Sequence, residues 1–115
     1  MSFQAVAWLD ELGAEPVPVN VQHPVTGDVQ VAVVRIGEEV FAIMDECSHA
    51  MVRLSEGDVD AASCSIECYQ HGSRFDLRTG AAINLPATEP VPVFPCLVED
   101  GQILVDVEHP INTQE

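Results

Sequence analysis

Cys47-Ser48-His49, then eighteen residues, then Cys68-Tyr69-Gln70-His71-Gly72 is the stretch that decides how this chain is read. Each Cys–His pair is short enough to sit on one turn, so two thiolates and two imidazoles are offered to a common point. In iron–sulfur chemistry two Cys and two His mark a [2Fe–2S] centre in which imidazoles replace two of the usual four thiolates. Such a site moves one electron at a time. A second reading of the same four residues is a structural zinc site, for which Cys2His2 is a common ligand set. Zinc fingers usually separate paired Cys by two to four residues and paired His by three to five, whereas these pairs are mixed and tight. Gly72 directly after the second His permits a sharp turn and a close backbone approach to an inorganic sulfide.

Working outward, the flanking segments read as β-structure. Val17–Val21 and Val29–Val33 alternate apolar and polar positions, as half-buried strands do. Val31–Ile36 and Val40–Met44 flank a hairpin turn at Gly37-Glu38-Glu39. Leu97–Val105 is a second hairpin around Asp100-Gly101. His23–Asp28 reads as a longer loop, and Trp8–Leu12 as a helical turn too brief to count as an element. Met44-Asp45-Glu46 leads into the first Cys–His pair and Ser65-Ile66-Glu67 into the second, with Gly57 breaking the segment between them. The eight prolines are expected at strand ends or in loops, and Leu85–Pro92 as a stiff ordered loop lying over something. The tail Pro110–Glu115 is expected to fray.

Length and composition narrow the function classes. With 115 residues, 47% of them hydrophobic, the chain reads as a single globular domain over 1–115, all-β in class. No apolar run approaches a membrane span, and Met1-Ser2-Phe3-Gln4 has neither a basic segment nor a long apolar stretch. A soluble, cytoplasmic protein with no membrane partner is the expectation. Nineteen acidic residues stand against four basic ones, all Arg, for a formal net charge of −15. That surface repels nucleic acid and draws in a partner with a basic docking surface; keeping the chain soluble is the plainer use of the same charge. Four Cys without an export signal argue against a disulfide framework. Cys96, in the apolar run Val93–Val98, reads as a small core residue, and Cys64 has no assigned role. His23 and His109, each beside a proline, read as solvated. Trp8 reads as an anchor for an N-terminal strand, Met44 as core, and Met51 as core or as the rim of the metal site.

The spacing Cys-x-His, a spacer, then Cys-x-x-His-Gly resembles the Rieske family, and the resemblance covers roughly residues 3–107. Phe75-Asp76-Leu77-Arg78-Thr79-Gly80 matches the segment after the second pair, and the run Pro86–Pro92 the loop that closes over the cluster. The resemblance implies an antiparallel β-sandwich with a cluster-binding subdomain, residues 45–80, inserted between strands. It implies one [2Fe–2S] cluster, with Cys47 and Cys68 on one iron and His49 and His71 on the other, more exposed one. Within the family the chain looks like the small soluble ferredoxins of bacterial multicomponent oxygenases. Membrane-bound respiratory members carry a bridging Cys in each loop, and Val52 and Gln70 stand at those positions here.

The function so implied is a one-electron carrier and not an enzyme by itself. It would accept from a flavin-dependent ferredoxin reductase and deliver to an oxygenase large subunit or another terminal acceptor. The chain also resembles the small Rieske-like subunit of assimilatory nitrite reductases, and a Rieske protein tied to iron–sulfur assembly is a third reading.

Two ferric ions, two sulfides and two thiolates sum to zero charge, so reduction takes the site to −1. Such centres have potentials above about −150 mV, against about −400 mV for plant-type ferredoxins, a known property of the class. Respiratory members place a Ser and a Tyr hydroxyl on the cluster sulfurs; the matching positions are Ser73 and Phe75, so one donor is expected and the other missing. Asp45, Glu46 and Glu67 disfavour reduction while Arg53, Arg74 and Arg78 favour it, each by under ~2 kcal/mol at ~10 Å and an effective dielectric of ~20.

Overall fold

Val31–Val34 gives the molecule its central layer, because all four side chains are fully buried and they point alternately to two different faces. The computed structural model describes residues 3–13, 15–46, 52–69, 72–84 and 89–111. Val31 and Val33 pack with Val21, Ala42, Phe94, Ile103 and Val105. Ala32 and Val34 pack on the opposite side with Ile43, Leu54, Ile66, Phe75 and Leu77. A strand covered on both faces reads as a continuous apolar run rather than an alternating one. Burying each Val contributes about 1.5–3 kcal/mol before the entropy of ordering it is subtracted.

The central sheet is antiparallel, ordered β2-β3-β4-β8, from β2 (Val17–His23), β3 (Gly27–Ile36), β4 (Glu39–Met44) and β8 (Val93–Phe94). One face is covered by the sheet β1-β10-β9, from β1 (Gln4–Trp8), β10 (Gln102–Val105) and β9 (Cys96–Glu99). The other is covered by the small sheet β5-β6-β7, from β5 (Asp58–Asp60), β6 (Ser65–Glu67) and β7 (Arg74–Asp76). The expected all-β architecture of antiparallel sheets is present. Among the described residues the helical elements are two 3-10 turns, Leu9–Glu11 and Leu54–Glu56. No helix there is long and apolar enough to cross a membrane.

Several local expectations are met and others change. The hairpin between β9 and β10 turns at Asp100 (φ 54°) and Gly101 (φ 79°), the paired positive φ angles of a type I′ turn. Trp8 ends β1 beside that turn, half-exposed, with Leu9 N–H donating to the Gly101 carbonyl at 2.8 Å. The expected long loop at 23–28 is shorter, because β2 and β3 pair up to His23 and Gly27. His23 is not merely solvated: its Nδ1 accepts from Val25 N–H at 3.0 Å and Thr26 N–H at 3.2 Å, holding the turn. The apolar run Val93–Val98 is not one strand. Pro95 divides it, so Val93–Phe94 pairs with β4 and Cys96–Glu99 with β10. Pro18 lies inside β2, an edge strand, where a residue without an N–H is tolerated.

Candidate metal centre

The second Cys–His turn grows out of the β6–β7 hairpin. Glu67 and Arg74 are the last paired residues of the two strands. Beyond them Cys68 N–H donates to the Ser73 carbonyl at 2.6 Å and Gly72 N–H to the Cys68 carbonyl at 3.0 Å. Gly72 has φ +78°, a conformation strained for any side chain, and an added Cβ would also stand 3.4 Å from Glu67 Oε2. Cys68, Ser73 and Phe75 are all fully buried, and Cys68 belongs to the apolar cluster of Leu54, Ile66 and Phe75. Tyr69, by contrast, is exposed. His71 and Gln70 lie outside the described residues.

The first turn is reached from β4. Met44 N–H donates to the Pro92 carbonyl at 2.9 Å and Asp45 N–H to the Gln30 carbonyl at 2.9 Å. Asp45 is buried, and its carboxylate accepts from Ser55 N–H at 2.6 Å and Ser55 Oγ at 2.7 Å, with Arg53 Nε at 3.9 Å. Arg53 in turn donates to Gln30 Oε1. A single carboxylate thereby ties residue 45 to residue 55, across the segment that carries Cys47 and His49. Leu54, fully buried between them, seats the far end of that segment in the core. Cys47, His49 and Met51 lie outside the described residues, as do 85–88 of the proline-rich stretch. Its described end is docked, with Val91 N–H donating to the Gly80 carbonyl at 2.9 Å. In the tail, Ile111 N–H donates to the Val93 carbonyl at 2.7 Å, so the chain is held as far as Ile111, and 112–115 lie outside the described residues.

The arginines near the two turns are paired with carboxylates. Arg74 reaches Asp60 at 3.5 Å and Glu67 at 3.4 Å. Arg78 reaches Glu39 at 3.1 Å and lies 5.5 Å over the Phe41 ring. The Ser63 hydroxyl bond, with backbone N–H groups and Arg74, outweighs desolvation and holds the Asp60 carboxyl below its usual range. The basic residues expected to favour reduction are therefore offset by carboxylates, Arg53 and Arg78 by one each and Arg74 by two. Neither remaining thiol is an activated nucleophile. Burial pushes the half-buried Cys96 up to about 12, in keeping with a core role, and burial likewise raises Cys64. Cys64 takes φ 54° at the turn between β5 and β6, where its carbonyl accepts from Leu77 N–H at 2.9 Å. Among the described residues no cluster of three or more His, Cys, Asp or Glu side chains is arranged to hold a metal ion.

Residues 4–95 match the Rieske [2Fe–2S] domain. The chain belongs to the Rieske family. It is similar to the anthranilate 1,2-dioxygenase ferredoxin subunit of Burkholderia cepacia, 48% identical over 83 residues that cover 72% of this chain and 75% of that one. In structure it is similar to the ferredoxin of carbazole 1,9a-dioxygenase from Nocardioides aromaticivorans, at TM-score 0.85 and 39% identity, covering 92% of this chain and 98% of that one. It is also similar, at TM-score 0.78 and 29% identity over 91% of this chain and 93% of the other, to a chain in a complex of reduced oxygenase and oxidized ferredoxin in carbazole 1,9a-dioxygenase.

Membership in the Rieske family implies a [2Fe–2S] cluster and sets the zinc reading aside. The described part of the site suits that group. Cys68 brings a buried thiol to the neck of a turn closed by its own backbone, and Gly72 takes the φ of +78° that closes the turn and that a side chain would strain. The side chains that tie the two turns down, Asp45 and Ser55 above all, were not found by sequence reasoning. An Asp two residues before a candidate ligand was legible only as a charge.

Proposed function

We propose that this chain is the ferredoxin component of an oxygenase system, with Cys47 and Cys68 as ligands of one iron and His49 and His71 as ligands of the other. The observation that carries the reading is the 48% identity to a dioxygenase ferredoxin subunit, alongside a ferredoxin fold shared over 92% of the chain. When bound, the cluster supplies reversible one-electron chemistry. The protein's own residues hold and shield it. Asp45 and Ser55 brace the segment of Cys47 and His49, and the β6–β7 hairpin presents Cys68 and His71. Leu54, Ile66 and Phe75 keep water from the Cys68 side. Residues 45–80 then form a cluster-binding subdomain within one domain spanning 1–115.

The electron acceptor is an oxygenase, by analogy with the structural neighbour found in a complex of reduced oxygenase and oxidized ferredoxin. The donor is a flavin-dependent reductase, and the protein works in the cytoplasm. The relatives named above support the oxygenase reading over the nitrite-reductase and cluster-assembly ones.

Anaerobic purification tests the reading. The expected protein is coloured, holds about two irons and two acid-labile sulfides per chain, takes up one electron, and is reoxidised by a cognate oxygenase component. Replacing His71 by Ala abolishes the coloured species. A colourless, iron-free protein, or a reduced protein that no oxygenase reoxidises, sinks the proposal.

A further inference from the structure

Beyond Asp76 the chain turns at Leu77–Gly80 and comes back along β7 as an irregular fourth strand. Asp76 N–H donates to the Ala81 carbonyl at 2.9 Å, Phe75 and Ala82 form a bridge, and Ile83 N–H donates to the Arg74 carbonyl at 2.8 Å. At Asn84 a side chain takes over from the backbone. Asn84 Oδ1 accepts from Arg74 N–H at 2.6 Å, and Asn84 Nδ2 donates to the Gly72 carbonyl at 3.2 Å. The orientation is forced, because a backbone N–H can only donate and a carbonyl can only accept. A carboxamide carries the same acceptor and donor as a peptide group, so it extends the ladder by one rung.

That rung falls on the flank of the second ligand turn. Gly72 follows His71 directly and has the φ of +78° that only a residue without a Cβ adopts at ease. The bonds within the turn use the Cys68 amide and carbonyl, the Gly72 amide and the Ser73 carbonyl. Those from Asn84 use the two groups left on either side of Ser73, the Gly72 carbonyl and the Arg74 amide. We propose that Asn84 is a positioning residue of the metal centre, clasping the Gly72–Arg74 backbone so that the turn presents Cys68 and His71 in one fixed geometry. This rests on the reading of Cys68 and His71 as ligands.

The test compares cluster-loaded wild type with Asn84→Ala, Asn84→Asp and Asn84→Gln. Three readouts are taken: the electron paramagnetic resonance spectrum of the reduced protein, the rate of visible bleaching under an iron chelator, and the melting temperature. Asn84→Ala removes both bonds. Asn84→Asp keeps the acceptor for Arg74 N–H but loses the donor to Gly72. Both are expected to bleach on the order of tenfold faster, the ratio that loss of a net hydrogen bond produces, with broadened spectra. Asn84→Gln, which retains the carboxamide, restores part of the wild-type rate. Wild-type spectra and bleaching rates in Asn84→Ala and Asn84→Asp overturn the inference, whether or not the melting temperature falls. A wild type that carries no iron–sulfur chromophore overturns the ligand reading itself, and the inference with it.

Discussion

At Gly57 one added carbon would stand 1.7 Å from the Glu67 carbonyl oxygen and 2.9 Å from its carbon, so the neighbour in the way is backbone and cannot swing aside. The φ of Gly57 is an ordinary −94°, so the position is decided by space and not by conformation. Relief would require β5 to separate from β6, beginning at the Asp58–Glu67 pair that adjoins Cys68. Gly57→Ala is therefore expected to cost on the order of 3 kcal/mol, read as a lowered denaturation midpoint, and to lower the iron bound per chain. Gly13→Ala, with nothing within 4 Å of its added Cβ, is the control and should change stability by under about 1 kcal/mol. Equal stability of the two variants would refute the steric account. The family was legible because thiolate and imidazole at such spacing have few other uses, and the four ligands proposed from it rest on that motif. Gly57 was legible only as a breaker, and Asp45 and Asn84 not at all as braces. Their hydrogen bonds join residues ten or more positions apart, and no periodicity records that.

At the scale of elements, hairpins were legible where local chemistry dictates them, as at Asp100-Gly101, and poorly legible where tertiary pairing decides. Strand β5 has one apolar residue, Val59, between two aspartates, and forms because β6 is there to receive it. The break at Pro95 hands the chain from the central sheet to the β1-β10-β9 sheet, and the segment after β10 closes over that break. Asp106 N–H donates to the Pro95 carbonyl at 3.1 Å, and its buried carboxylate accepts from Glu108 N–H at 2.9 Å and meets His109 Nδ1 at 2.9 Å. Desolvation alone would raise this carboxyl, but the His109 and backbone hydrogen bonds outweigh it and hold it below its ordinary 3.8. A carboxylate depressed in the fold contributes stability that is fully present above its unfolded value and is lost as the pH falls through its folded one. Asp106→Asn is thus expected to melt below wild type at neutral pH, with the gap closing as the pH is lowered through and below 3.8. A gap of constant size across that range would show that the charge on Asp106 does nothing for the fold.

For the molecule as a whole, the net charge of −15 matters because the four cations are already committed. Arg53 is held by Asp45 and Gln30, Arg74 by Asp60 and Glu67, and Arg78 by Glu39. Arg35 is turned onto main-chain carbonyls, at 2.8 Å from Gly37 and 3.1 Å from Leu9. The field beyond the surface is accordingly that of the carboxylates in excess, and an approaching partner meets almost no compensating positive charge. A basic docking surface is drawn in from several ångströms, while salt screens exposed charges over about 8 Å at physiological strength and about 3 Å at 1 M. The second-order rate of electron delivery to a cognate oxygenase should therefore fall on the order of tenfold or more from low salt to about 0.5 M. Stopped-flow reoxidation of the reduced protein across a salt series measures it. The first-order rate within a preformed complex should stay level, because screening acts on the encounter and not on the bound pair. A delivery rate that is flat, or that rises with salt, would mean that the acidic surface serves solubility and that docking depends on apolar contact alone.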